Sequence, residues 1–168
     1  MIRVENNFLN NTEFNYILDV VTSDKFPWYL QKYKVFEGDE QIQFTHNLVK
    51  EVNNEIQSSF FVSVFLSDLL KNLKATSVLK AKINLTPKTD KIIETQPHTD
   101  INNIDLNNPS MTAILYLNTN NGYTQIVGGN KVQSVENRLL TFPTHTSHFG
   151  TTHTDIDYRI VLNVVYKT

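Results

Sequence analysis

The sequence predicts a mainly β protein with N-terminal helices, closed as a jelly-roll or double-stranded β-helix. Two observations predict it. An apolar stripe at helical spacing occupies the first part of the chain, and from Val78 onward the texture changes to short β-rich runs separated by turn residues. Helices followed by many short strands suit a jelly-roll with a helical buttress.

In chain order, Phe14, Ile17, Leu18 and Val21 recur at the i, i+3, i+4, i+7 spacing of one helix face, with Asn11 or Thr12 as the cap. A second helix is expected over Leu66–Leu73, with Ser67 or Asp68 near its start, and a third over Asn47–Ile56. The expected strands are Leu79–Leu85, Lys91–Thr99, Met111–Leu117, Tyr123–Val127, Lys131–Val135, Arg138–Phe142 and Tyr158–Tyr166. Asn121-Gly122 and Gly128-Gly129-Asn130 signal tight turns, because Gly and Asn accept positive φ. The aromatic group Phe26, Trp28, Tyr29 and Tyr33 reads as a packed early strand or as cover for a groove.

A chain of 168 residues fits one domain, with a helical buttress over about 11–75 and a β core over about 78–166. It holds no cysteine, which excludes disulfides, thiolate metal sites and cysteine nucleophiles; a bound metal must sit on His, Asp or Glu. Fifteen basic against seventeen acidic residues leave a net charge of −2, which disfavours nucleic-acid binding by bulk charge. The start of the chain lacks a signal-peptide pattern, and the longest apolar cluster, Phe60–Leu66, is too short to span a bilayer. The expectation is a soluble protein of the cytoplasm, in a bacterium or a phage-infected cell.

His98-Thr99-Asp100 ends a predicted strand. Residues i and i+2 project from one strand face, so imidazole and carboxylate can converge on one ion. His148 follows several strands later as a third ligand. Two histidines and a carboxylate on one face of an octahedral ion leave three positions open, the arrangement of non-haem Fe(II) oxygenases. A second triplet, His153-Thr154-Asp155, has no histidine after it and falls between strands, so it reads as a loop. Arg159 opens an otherwise apolar last strand, where a charge is costly without a partner. A guanidinium forks onto a carboxylate; Asp155 and Asp157 are local candidates, and the far carboxylate of 2-oxoglutarate is another. His46 and His145 read as surface or satisfied polar groups. Asn163 shares the Arg159 face of its strand.

The order His98-x-Asp100, His148, Arg159 resembles the 2-oxoglutarate- and Fe(II)-dependent dioxygenases, particularly small prolyl-4-hydroxylase-like members of bacteria and phages. Thr112–Asn118 looks like the strand after the first metal ligands in that group. Asn137–Pro143 and His148–Thr152 look like its approach to the second histidine. The resemblance covers roughly residues 78–166. It implies that His98, Asp100 and His148 bind Fe(II), that Arg159 binds the distal carboxylate of 2-oxoglutarate, and that the Tyr116 hydroxyl adds a hydrogen bond to it. It also implies that O₂ and 2-oxoglutarate are consumed to hydroxylate a substrate C–H bond, with a prolyl or other protein side chain as the substrate class. A nucleobase or small metabolite stays open within the same chemistry. The chain departs from the family pattern at Thr86-Pro87, where Tyr-Pro often stands, and in a longer His148-to-Arg159 spacing. The polar segment Ile101–Ser110 is the candidate substrate loop. Competing readings are a non-catalytic jelly-roll binding or structural module, and a cupin-like iron enzyme that does not use 2-oxoglutarate.

Overall fold

The computed structural model describes residues 1–33, 41–50, 56, 59–101 and 110–168. Ten strands and two helices follow one another as β1 (Arg3–Glu5), α1 (Asn11–Val21), β2 (Tyr29–Gln31), β3 (Gln43–Val49), α2 (Ser59–Leu73), β4 (Ser77–Pro87), β5 (Met111–Tyr116), β6 (Tyr123–Ile126), β7 (Lys131–Gln133), β8 (Arg138–Pro143), β9 (His148–Gly150) and β10 (Tyr158–Lys167) among the described residues.

The long strands β4, β5, β8 and β10 are built of alternating residues whose two faces both meet protein. They form the middle of a seven-stranded antiparallel sheet ordered β1-β8-β5-β10-β4-β3-β2, while β7-β6-β9 make a smaller three-stranded sheet. This is a jelly-roll, in which the two sheets face one another. The helices cover the other side of the large sheet. Ala81 and Ile83 of β4, Ala113 and Leu115 of β5, and Leu162 and Val164 of β10 join Phe14, Phe65 and Leu69 in one core there. Between the sheets lies a smaller apolar cluster, which includes Ile114, Tyr116, Leu140, Phe142 and Val161.

Helix α1 is capped by Asn10, one residue before the expected position: its side chain accepts from the Glu13 amide at 3.0 Å. Helix α2 starts at Ser59 rather than near Ser67, which makes Ser67 and Asp68 mid-helix residues. The aromatic and β-branched run Phe60–Val64 looks strand-like locally, but burial of Phe65, Leu66 and Leu69 in the core rewards the helix.

The expected helix at Asn47–Ile56 is overturned. Asn47, Leu48 and Val49 belong to β3, and Val49 bridges Ile56; residues 51–55 lie outside the described residues. The free edge of β4 is the reason, since pairing there satisfies the β3 backbone and buries Leu48 and Val49. The expected strand Lys91–Thr99 is reduced to isolated bridges, Glu94 to Thr151 and His98 to His148, with Pro97 removing a ladder donor. Gly128 has the positive φ expected of a turn at 71°, whereas Gly122 does not. Phe26 and Trp28 pack edge-on at 4.9 Å just before β2, whereas Tyr29 in β2 and Tyr33 after it are exposed, so the expected packed strand holds only for the first half of this aromatic group.

Candidate metal centre and co-substrate pocket

His98 and His148 face each other across an antiparallel bridge. Each backbone N–H donates to the other's carbonyl, at 2.9 and 3.0 Å, and the ring centroids lie 4.7 Å apart. Strand register therefore holds two imidazoles side by side. Asp100, two residues beyond His98, brings Oδ2 to 3.8 Å from His148 Nε2. The three ligand atoms all lie within 4.8 Å of one another.

Each imidazole is oriented by a backbone carbonyl two residues before it. His98 Nδ1 lies 3.3 Å from the Gln96 carbonyl, and His148 Nδ1 lies 3.0 Å from that of Thr146. A ring that donates from Nδ1 presents the Nε2 lone pair, which is the form a metal takes. The Thr112 hydroxyl donates to Asp100 Oδ2 at 2.8 Å, and Lys80 Nζ donates to the Asp100 carbonyl at 3.3 Å. Burial is the main cause lowering the His98 pKa, with His148 adding to it, which favours the neutral imidazole. The donor set and its orientation fit a divalent ion of the Fe(II) kind.

A cavity with an empty volume of about 550 Å³, including solvent at its mouth, opens beside these residues between the two sheets. Its large-sheet wall follows from alternation: Lys82, Asn84 and Thr86 come from β4, and Arg159, Val161 and Asn163 from β10. Arg159 is 4% exposed and opposite Thr86 in the β10–β4 register. Its Nε donates to Ser134 Oγ at 2.7 Å, and its guanidinium sits 5.6 Å over the Tyr116 ring. Among the described residues no carboxylate pairs with it, so neither Asp155 nor Asp157 is its partner. Asp155 instead accepts from the Asn121 amide at 2.9 Å, and His153 Nε2 meets the Ile156 carbonyl at 2.9 Å in the predicted loop.

Tyr116 is fully buried, and its hydroxyl meets no partner at hydrogen-bond geometry although Thr124 stands beside it. Burial raises its pKa and the Arg159 charge opposes the rise, so the neutral phenol remains a donor. A buried cation without a counter-ion and a buried hydroxyl without a partner both call for an anionic acceptor.

Three residues that hold this pocket lie outside the metal-ligand and Arg159 motifs. Thr112 was findable as the i, i+2, i+4 mate of Ile114 and Tyr116 on the inner face of β5. Ser134 reaches Arg159 from just beyond β7. At Gly122 an added Cβ would lie 2.9 Å from Arg159 Cδ, 2.8 Å from Asn120 Oδ1 and 3.0 Å from the Thr152 carbonyl. Its need is close approach rather than positive φ. His145 is exposed, whereas His46 is buried against Phe26 and Phe61 with Nδ1 at 2.9 Å from the Pro27 carbonyl. Residues 102–109, most of the candidate substrate loop, lie outside the described residues.

The fold is similar to that of solved 2-oxoglutarate- and Fe(II)-dependent oxygenases. Among solved structures, an oxidoreductase of the 2OG-Fe(II) oxygenase family from Burkholderia pseudomallei is similar with a TM-score of 0.68 and 12% identity, covering 99% of this chain and 84% of that one. A prolyl hydroxylase from Trichoplax adhaerens, solved with a peptide fragment of the hypoxia inducible factor oxygen degradation domain, is similar with a TM-score of 0.66 and 11% identity over 98% of this chain and 83% of that one. SnoN, a non-heme alpha ketoglutarate dependent epimerase from nogalamycin biosynthesis, is similar with a TM-score of 0.67 and 12% identity over 98% of this chain and 76% of that one. No family model and no curated protein matches the sequence. Among the described residues no helix is long and apolar enough to cross a membrane.

Proposed function

We propose that this protein is an Fe(II)- and 2-oxoglutarate-dependent dioxygenase, folded as one domain over 1–168, that hydroxylates a C–H bond of its substrate. The observation that carries the reading is the Arg159 cation, buried without a carboxylate partner among the described residues in the cavity that His98 and His148 line, with Asp100 grouped beside those two histidines. A structural metal site needs no such cation. A co-substrate that chelates the metal at one end and bears a carboxylate at the other does.

In this reading His98 Nε2, His148 Nε2 and an Asp100 oxygen hold the metal, while Thr112 keeps the carboxylate turned toward it. Arg159 and the Tyr116 hydroxyl take the distal carboxylate of 2-oxoglutarate, and Ser134 and Gly122 keep the guanidinium in place. Fe(II) with 2-oxoglutarate supplies O₂ activation, by which the keto acid becomes succinate and CO₂ and one oxygen atom enters the substrate C–H bond. The apolar cluster of Ile114, Phe142 and Val161 keeps water from the inner end of the site. A prolyl or other protein side chain is the substrate class suggested by likeness, the peptide-bound Trichoplax enzyme being one neighbour with this fold.

The test is anaerobic titration of metal-free protein with Fe(II) and 2-oxoglutarate, read by the visible charge-transfer band of the chelate. The band is expected in wild type and absent in His148→Ala. Arg159→Met should need about tenfold to a hundredfold more 2-oxoglutarate, the worth of hydrogen bonds to a charged group. No band in folded wild type sinks the reading. A band with unchanged 2-oxoglutarate demand in Arg159→Met removes the Arg159 role.

A further inference from the structure

The same cavity holds a second cation. Lys82 projects from β4 on the Arg159 side of the sheet, opposite Asn163 on β10, and lines the cavity half-buried. Among the described residues its ammonium makes no hydrogen bond and no ion pair, unlike that of Lys80, which binds the Asp100 carbonyl. It lines the cavity together with His98 and His148, two register positions along β4 from Asn84 and four from Thr86. The ligand carboxylate does not neutralise it, since no Asp100 oxygen lies within ion-pair distance.

Strand register sets the backbone positions of the two cations apart. Lys82 and Thr86, which faces Arg159, are four residues apart on one strand, about 13 Å at 3.3 Å per residue. The carbon backbone of 2-oxoglutarate spans only about 5 Å end to end with bonds of about 1.5 Å. A molecule chelated at the metal and anchored on Arg159 leaves the Lys82 end open. Two amide oxygens in this wall are buried without partners among the described residues, Asn163 Oδ1 opposite Lys82 and Asn84 Oδ1 midway between Lys82 and Thr86, and Asn84 is only 8% exposed. Polar groups of this kind in a cavity wall await a polar ligand.

Charge points the same way. Fe(II) with the Asp100 carboxylate and dianionic 2-oxoglutarate with Arg159 sum to zero, because the histidines coordinate as neutral ligands. Among the described residues no charge then opposes Lys82, and Lys80 nearby adds a like charge, so an arriving anion is favoured on both counts.

We infer that the substrate carries a carboxylate that pairs with Lys82, with the Asn84 and Asn163 amides binding polar groups beside it, so that the bond to be oxidised is presented from the Lys82 end of the cavity. This rests on the oxygenase reading above and adds the substrate class to it. Two sources supply such a carboxylate, a free amino acid and an acidic side chain in a peptide.

The test loads wild type, Lys82→Gln and Lys82→Arg anaerobically with Fe(II) and 2-oxoglutarate, then follows the chelate band and the thermal unfolding midpoint as probes are added. One arm uses the proteinogenic L-amino acids against their α-amides. The other uses end-capped tripeptides with central Asp or Glu against their Asn and Gln counterparts. At least one acid is expected to shift the band and raise the midpoint, with its neutral counterpart needing about tenfold more or failing. Lys82→Gln should lose that preference and Lys82→Arg keep it; should Lys82→Gln not fold, the acid-against-amide comparison and Lys82→Arg carry the test. Absence of a response to any acid, equal response to the amides, or a wild-type response in Lys82→Gln overturns the assignment. The band before any probe separates the two readings. If it never forms, the oxygenase reading fails; if it forms and the acids do nothing, only the Lys82 assignment fails.

Discussion

The two faces of the large sheet are made by the same strands and do opposite work. On the helix side β4 presents Ala81 and Ile83, and β10 presents Ile160, Leu162 and Val164, all buried in the main core. On the inner side the intervening residues are Lys82, Asn84 and Thr86, and Arg159, Val161 and Asn163, which wall the cavity. One face gains stability from apolar burial, and the other spends some of it on unpaired polar groups. Because the side-chain period is two, a one-residue slip would exchange them, so the apolar face is what keeps the site residues aimed inward.

The contrast is sharpest in substitutions a few residues apart on β10. Leu162→Ala, on the fully buried side, should cost about 2–5 kcal/mol in unfolding free energy by urea denaturation while leaving 2-oxoglutarate affinity in the remaining folded protein near wild type. Arg159→Met should do the reverse. The hydrogen bond to Ser134 is lost at about 1 kcal/mol, against relief of an unpaired buried charge, so the urea midpoint of metal-free protein should hold or rise while co-substrate binding weakens. A large stability loss in Arg159→Met would show that the cation is compensated within the fold.

Thr112→Val tests the same division on β5 with a near-isosteric change. Losing the 2.8 Å hydrogen bond to Asp100 should weaken Fe(II) affinity by about tenfold to a hundredfold, read by competition with a metal-sensitive chelator, with little change in stability.

The smallest expected effect is with pH. Burial lowers the folded His98 pKa below its ordinary value of 6.5, so the unfolded chain binds the extra proton first as pH falls. Stability of metal-free protein should therefore decline as pH drops below about 6.5 and stop responding to this group once pH passes the folded pKa. Thermal unfolding of wild type and His98→Gln across that range isolates the contribution. An equal slope in both would assign it elsewhere.

Period-two and helical spacings made much of the fold legible, because β4, β5, β8 and β10 alternate and α1 carries its stripe. The spacing His98-x-Asp100 and the charged start of the last strand also marked residues that the structure brings around one cavity. What local pattern could not express was decided by pairing. Nothing near residues 47–49 says strand until the β4 edge is there to accept it, and the early turns of α2 read otherwise until a core rewards them. The union of His98 with His148, the support of Arg159 by Ser134 and Gly122, and the place of Lys82 in the same cavity were likewise settled only in three dimensions. Sequence alone determined which residue types stand on which face, since alternation is local geometry. Tertiary structure decided which faces meet, since strand register is fixed by burying apolar surface and satisfying backbone groups far apart in the chain.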